Sequence, residues 1–244
     1  MPANTLQDWF RSPLGKYLLE KEQAYLDDVT PDLFGFHALQ LGLPEFDLLR
    51  ANRITHKMRV AAGDRPDVYA KCHELPFATQ SIDLALLPHV LDFAGEPHEI
   101  LREVDRVMMP EGRLIIIGFN PWSLWGLRSA LGFARNEFPW KGRFVSLLRV
   151  KDWLALLGFD VSAGRLVAYA PPFDNARVLR RFAFMEPAGD RWWAVGGAVY
   201  MLQAIKRVRG MRLITPAWQA QKDAREKTLA AAKRESVSHL KVVK

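Results

Sequence analysis

Residues Arg113-Leu-Ile-Ile-Ile-Gly118 form an unbroken apolar run closed by a glycine. A strand whose side chains are apolar on both faces has none to offer water. It belongs inside a sheet covered on both sides, the usual situation of parallel strands under helices. The chain just upstream supplies the rest of such a unit. Ser81 to Leu87 is a second apolar strand, and Ile100, Leu101, Val104, Val107 and Met108 recur at the spacing of one helical face. Pro110-Glu111-Gly112 reads as a turn between helix and strand. Strand, helix, turn and strand over residues 81–118 make a βαβ unit.

The same alternation extends outward. Ser12-Pro13 reads as an N-cap with proline at the first helical position, and Leu14, Tyr17, Leu18 and Tyr25 share one face of a helix that ends before Pro31. Phe34 to Gly42 reads as a strand, Pro44 to Arg50 as a short helix, Thr55 to Ala62 as an amphipathic strand, and Asp67 to Cys72 as a weaker one. Trp153, Leu154 and Leu157 define a helix stopped at Gly158, with a strand from Phe159. Gly197 to Lys206 fits a final strand or a helix by pattern alone. Alternating strands and helices imply an open α/β sheet, and ligands of such sheets bind beyond the carboxyl ends of the strands. That puts Gly42, Cys72, Leu87–Pro88 and Gly118–Asn120 on one functional edge.

Charge divides the chain unevenly. Residues 206–244 hold 11 Lys/Arg against 3 acids, while residues 1–205 hold 23 against 24, so the net charge of +7 belongs to the C-terminal stretch. This stretch is expected to be a flexible or partner-ordered tail that offers an electrostatic handle to RNA or another anionic surface. The single cysteine, Cys72, excludes an internal disulfide and any cysteine-based zinc cluster, and points to a reducing compartment. With no long apolar run and no secretory leader pattern, a cytoplasmic protein without a membrane span is expected. The six histidines show no metal-site spacing, so no metal is expected, and the glycines form no dinucleotide fingerprint.

Residues Glu74-Leu-Pro-Phe-Ala-Thr-Gln-Ser-Ile-Asp-Leu-Ala-Leu-Leu-Pro-His-Val-Leu91 resemble a segment of class I S-adenosylmethionine-dependent methyltransferases, of the type 11 domain. The resemblance continues through Leu101-Arg-Glu-Val-Asp-Arg-Val-Met-Met-Pro-Glu-Gly-Arg-Leu-Ile-Ile-Ile117, and more weakly through Asp152–Phe159 and Tyr200–Lys206. Residues 119–128 are similar to a proteobacterial branch of that family. The resemblance implies a Rossmann-like α/β sandwich whose mostly parallel seven-stranded sheet has an antiparallel last strand. It also implies S-adenosylmethionine as cofactor and methyl transfer by in-line displacement. The expected organisation is an N-terminal helical lead (1–30), the α/β domain (31–206) with an apolar insertion at 122–144, and the basic tail (207–244).

In the family a glycine-rich turn follows the first strand, and acids after the second and third strands meet ribose and adenine. Here Gly42 matches the first glycine, Gln40 stands at the acid position of the turn, Pro44 falls on the second glycine, and Lys71 falls where the adenine-side acid lies. Asp64 is the nearest acid to the second strand's end. The resemblance thus implies Gln40, Gly42, Lys71, Cys72, Leu87 and His89 as cofactor contacts. His89 is the candidate catalytic base, because an imidazole titrates near neutrality. The insertion Trp122–Phe144 interleaves tryptophans, leucines and phenylalanines with Arg128, Arg135, Lys141 and Arg143, and is placed to cap a substrate pocket, meet a lipid surface or stack on a base. The alternative to an enzyme is a methyltransferase-fold binding protein that uses its basic tail. The enzyme reading requires that the hollow at Gly42 not be filled by Phe46 or Lys71.

Overall fold

Thr5 and Ser12 each start a helix by accepting a backbone N–H with the side-chain hydroxyl, from Asp8 and Gly15 respectively. Helix α1 spans Leu6–Phe10 and α2 spans Pro13–Val29. The computed structural model describes residues 5–63, 65–132, 137–193 and 195–207. The further elements are β1 (His37–Leu41), β2 (His56–Ala61), β3 (Val68–Tyr69), β4 (Ile82–Pro88), α3 (Val90–Phe93), α4 (Pro97–Val107), β5 (Met108–Phe119), α5 (Leu124–Ala130), α6 (Leu147–Leu156), β6 (Phe159–Val167), α7 (Ala176–Arg181), α8 (Met185–Trp192) and β7 (Val199–Lys206).

The strands form one sheet in the order β3-β2-β1-β4-β5-β7-β6. β1, β2, β3, β4 and β5 run parallel, and β7 pairs antiparallel with both β5 and β6. The parallel βαβ unit and the antiparallel last strand agree with the sequence reading. Ile100, Leu101, Val104 and Val107 turn the apolar face of α4 onto one side of the sheet, beside Leu87, Leu114 and Ile116. On the other side Trp9, Phe10, Leu14, Leu18 and Leu26 cover Leu84, Leu86, Ile115 and Ile117. The described part of the expected lead, residues 5–30, is therefore not ahead of the domain, since it forms one of its two covering layers. Burying a leucine or phenylalanine side chain is worth roughly 1.5–3 kcal/mol, so that layer is integral to the fold.

Two local expectations are corrected. The short helix expected over Pro44–Arg50 is a series of turns. The Pro110-Glu111-Gly112 turn is absorbed into β5 as a bulge, where Glu111 adopts a φ of +63° and the register jumps from Ile82↔Met108 to Leu84↔Arg113. At the start of β1, Asp83 of β4 accepts the N–H groups of Phe36 and His37 at 2.9 Å, which fixes the alignment of the two strands. The chain divides after Val208 into this compact unit and a second, 209–244, which lies outside the described residues together with the expected tail interactions. Among the described residues no helix is long and apolar enough to cross a membrane.

Candidate functional site

The turn after β1 is built from its own side chains. Gly42 has a φ of +81°, a backbone region costly for residues with a Cβ, and an added Cβ would lie 3.3 Å from Val90. Its N–H donates to the Val60 carbonyl of β2. Gln40 is buried beneath the turn and donates from Nε2 to the carbonyls of Leu43 and Phe46 at 3.0 and 2.9 Å, with the Gly42 carbonyl at 3.2 Å. Its Oε1 accepts the Leu48 N–H. These bonds draw the 42–48 carbonyls inward and keep the segment from closing its own helical ladder, which is why no helix forms there. From outside, Arg59 donates to the Pro44 carbonyl and grips both oxygens of Asp67.

This turn borders a hollow of about 350 Å³ at the carboxyl ends of β1, β2 and β4. Gly42, Leu43 and Pro44 form one wall, Ala61–Gly63 and Cys72 a second, and Pro88–Val90 the floor. Thr5, Leu6 and Gln7 reach it from α1, and Phe93 and Phe138 complete its apolar rim. Phe46 packs against Phe10 and is not among the residues lining the hollow. No carboxylate occurs among the described residues that line it.

The six sequence candidates separate. Gly42, Cys72 and His89 line the hollow. Gln40 does not, because its amide is spent on the turn. Lys71 is exposed on the surface, 3.7 Å from Glu74, and Leu87 points into the core beside Ile116. Burial pushes the Cys72 thiol above its ordinary value, so it serves as a neutral, mostly apolar wall. Asp64 lies outside the described residues.

His89 sits where β4 ends, with a φ of +57°, a left-handed conformation in which histidine is enriched among residues other than glycine. Its ring is fully buried, stacked on Phe119 at 4.3 Å. Nε2 lies 2.7 Å from Oε1 of Glu22, a fully buried acid on α2, and Nδ1 lies 3.5 Å from Asp92 Oδ2. Asp92 in turn accepts the N–H groups of Phe119 and Val145. Burial pulls the imidazole pKa down, but the Glu22 charge and the Asp92 contact outweigh it and raise the pKa to about 9. Burial likewise raises Asp92 above the ordinary carboxylate range. A protonated, sealed imidazolium cannot take a proton from a substrate, so the base role expected for His89 is replaced by a structural one beneath the hollow. Glu22 was missed by the sequence reading. Its signal was present: it falls four residues after Leu18 and three before Tyr25, inside the apolar stripe of α2.

The insertion contributes at two places. Phe138 reaches the first hollow, while Trp122, Arg143 and Phe144 line a second one of about 480 Å³, bounded also by His98, Arg149 and Trp153. The hollows share Ala94, just past α3.

A parallel sheet in this strand order, closed by one antiparallel strand and hollowed at the ends of β1 and β4, is a class I methyltransferase sandwich. A family model described as a methyltransferase domain matches residues 46–116, starting just beyond the Gly42 turn. The chain is 37% identical over 155 residues to YafS, an uncharacterised protein of Escherichia coli, covering 63% of this chain and 65% of that one. It is 29% identical over 97 residues to a protein of Chlamydia pneumoniae named demethylmenaquinone methyltransferase, covering 37% and 40%. The matched stretches thus span just under two thirds of YafS and two fifths of the chlamydial protein. Among solved structures, a methyltransferase of Thermotoga maritima superposes with a TM-score of 0.59 at 16% identity, over 82% of this chain and 93% of that one. One from Archaeoglobus fulgidus gives 0.56 at 18%, over 77% and 94%. Residues 46–116 thus match a methyltransferase domain, and the fold is that of the class I S-adenosylmethionine-dependent methyltransferases.

Proposed function

We propose that the chain binds S-adenosylmethionine in the hollow at Gly42 and directs its methyl group to an acceptor admitted at the same edge of the sheet. The observation that carries this reading is the hollow itself. Its volume of about 350 Å³ lies within the range of small-molecule sites, and neither Phe46 nor Lys71 lines it. The cofactor supplies an already activated sulfonium methyl, so the protein's task is positioning and exclusion of water, which can lower a barrier by roughly 7–11 kcal/mol. Gly42 leaves room for close approach of the backbone. Ala61, Ala62, Cys72 and Ile100 offer apolar contact to a purine, and Thr5 and Gln7 offer polar groups from α1. Without a described acid on the walls, ribose hydroxyls are left to these side chains and to backbone groups. Leu6, Phe93 and Phe138 give the remaining surface an apolar character suited to a largely apolar acceptor.

Calorimetric titration of the full chain with S-adenosylmethionine and S-adenosylhomocysteine tests this. Saturable binding with a dissociation constant below about 1 mM is expected. Ala62→Trp, at an exposed loop position on the wall, is expected to fill the hollow and weaken binding at least about tenfold without loss of fold. No heat from either ligand, or unchanged affinity in a folded Ala62→Trp protein, would count against the assignment.

A further inference from the structure

Helix α5 is oriented against the usual rule. Its buried side holds Trp125, whose indole N–H donates to the Ala170 carbonyl, while Leu127 and, just past its end, Leu131 face solvent. Trp122, ahead of the helix, is 76% exposed. The neighbouring connection between β6 and β7 continues this surface. The Arg128 guanidinium donates to the Pro172 carbonyl, next to the exposed Phe173, and Asn120 holds the carbonyl of the exposed Val195 at 2.8 Å. Phe184 and Trp193 stand out from the same connection. All of these residues rise from the β5, β6 and β7 ends of one sheet edge. Contiguous exposed apolar surface on a water-soluble body marks a contact site.

The charges around it are weighted towards arginine. Arg177, Arg180 and Arg181 of α7 make no ion pair among the described residues. Of the described acids nearby, Asp174 and Glu137 are exposed, Asp174 also accepting the Leu14 N–H, and Glu186 accepts the Tyr17 hydroxyl and the Tyr169 N–H. The 122–144 stretch carries four basic residues against one acid. Tryptophan, phenylalanine and leucine set beside the arginines of α7, which have no ion-pair partner among the described residues, match a bilayer interface, where aromatic rings lie at headgroup depth and guanidinium groups meet lipid phosphates.

We propose that this edge docks the protein on an anionic phospholipid surface, with Trp122, Leu127 and Leu131 entering the headgroup region and the α7 arginines meeting the phosphates. The inference does not depend on cofactor binding and is tested without cofactor. The full chain is sedimented with vesicles of phosphatidylglycerol and phosphatidylcholine, or of phosphatidylcholine alone, at low and high salt. Binding to the anionic vesicles, weakened by salt, is expected. The triple variant Trp122→Ser, Leu127→Ser, Leu131→Ser and the variant Arg177→Gln, Arg180→Gln, Arg181→Gln are each expected to lose at least about tenfold in partitioning. All six positions lie on the surface, and a wild-type melting temperature verifies the fold. Failure to bind anionic vesicles overturns the proposal. So does wild-type binding by both variants, which would assign the attraction to residues 206–244. Self-association abolished by the same substitutions would also overturn it, giving the surface to a second copy of the chain.

Discussion

His89 keeps its proton at neutral pH because two carboxylates from different parts of the chain close on it. Glu22 comes from α2 and Asp92 from α3, and the ring is sealed between Phe10 and Phe119. Removing one member of such a pair leaves the other charge buried without compensation, at a cost of about 3–5 kcal/mol. The folded-state pKa, about 9, lies above the ordinary 6.5. Folding therefore takes up a proton between these values. The stabilisation is complete below about pH 6.5 and is lost as pH rises through about 9. A double-mutant cycle with Glu22→Gln and His89→Gln, followed by chemical denaturation, is expected to show strong coupling at pH 6 that fades by pH 10. Coupling that is flat across this range, or that grows with pH, would contradict a charged pair. His89 was singled out from the sequence by its place after β4, but its partner was not, because a buried pair 67 residues apart leaves no local pattern.

At the scale of elements, the strongest periodicities were legible and the weakest were not. The β4–α4–β5 unit follows from unbroken apolar strands flanking a helix with a sharp stripe, and α2 from its Ser-Pro start. Helix α1 is five residues long, too short for any periodicity to register, although Thr5 and Asp8 cap it. Helices α7 and α8 were likewise unread, since their faces answer to the β6–β7 connection and carry no clear stripe of their own. The expected helix after β1 gives way to a local side-chain network: Gln40 draws in the carbonyls of Gly42, Leu43 and Phe46. Gln40→Leu keeps the side chain's bulk but strands Leu43 O, Phe46 O and Leu48 N–H, each at about 1–3 kcal/mol if unsatisfied. Such a loss corresponds to a fall in melting temperature of roughly 2–4 °C per kcal/mol for a body of this size. Gln40→Glu removes the donors as well and is expected to be the worse of the two. A Gln40→Leu protein that melts like the wild type would show that the turn does not rely on this amide.

For the molecule as a whole, the sequence reading sets residues 1–30 apart as a helical lead ahead of the α/β domain. The structure places Trp9, Phe10, Leu14, Leu18 and Leu26 in the same apolar cluster as Leu84 and Ile115, and runs the Glu22–His89 pair across the same boundary. A layer that shares its core with the central strands cannot leave without exposing them, so it should open only when the whole body unfolds. Native-state hydrogen exchange is expected to give the amides of residues 18–26 opening free energies close to those of residues 84–87 and 115–117. The β3 edge, which is only two residues long, is expected to exchange far more readily. The proposed cofactor adds a second signature. Thr5, Leu6 and Gln7 meet Gly42 across the hollow, so S-adenosylhomocysteine is expected to slow exchange at the start of α1 and in the 42–44 turn together. At about a hundredfold excess over the dissociation constant it is also expected to raise global stability by about 2.7 kcal/mol. If α2 exchanged through a separate low-energy opening while the strands stayed closed, the first thirty residues would be a docked lead after all. The hollow would then have a movable wall rather than a fixed one.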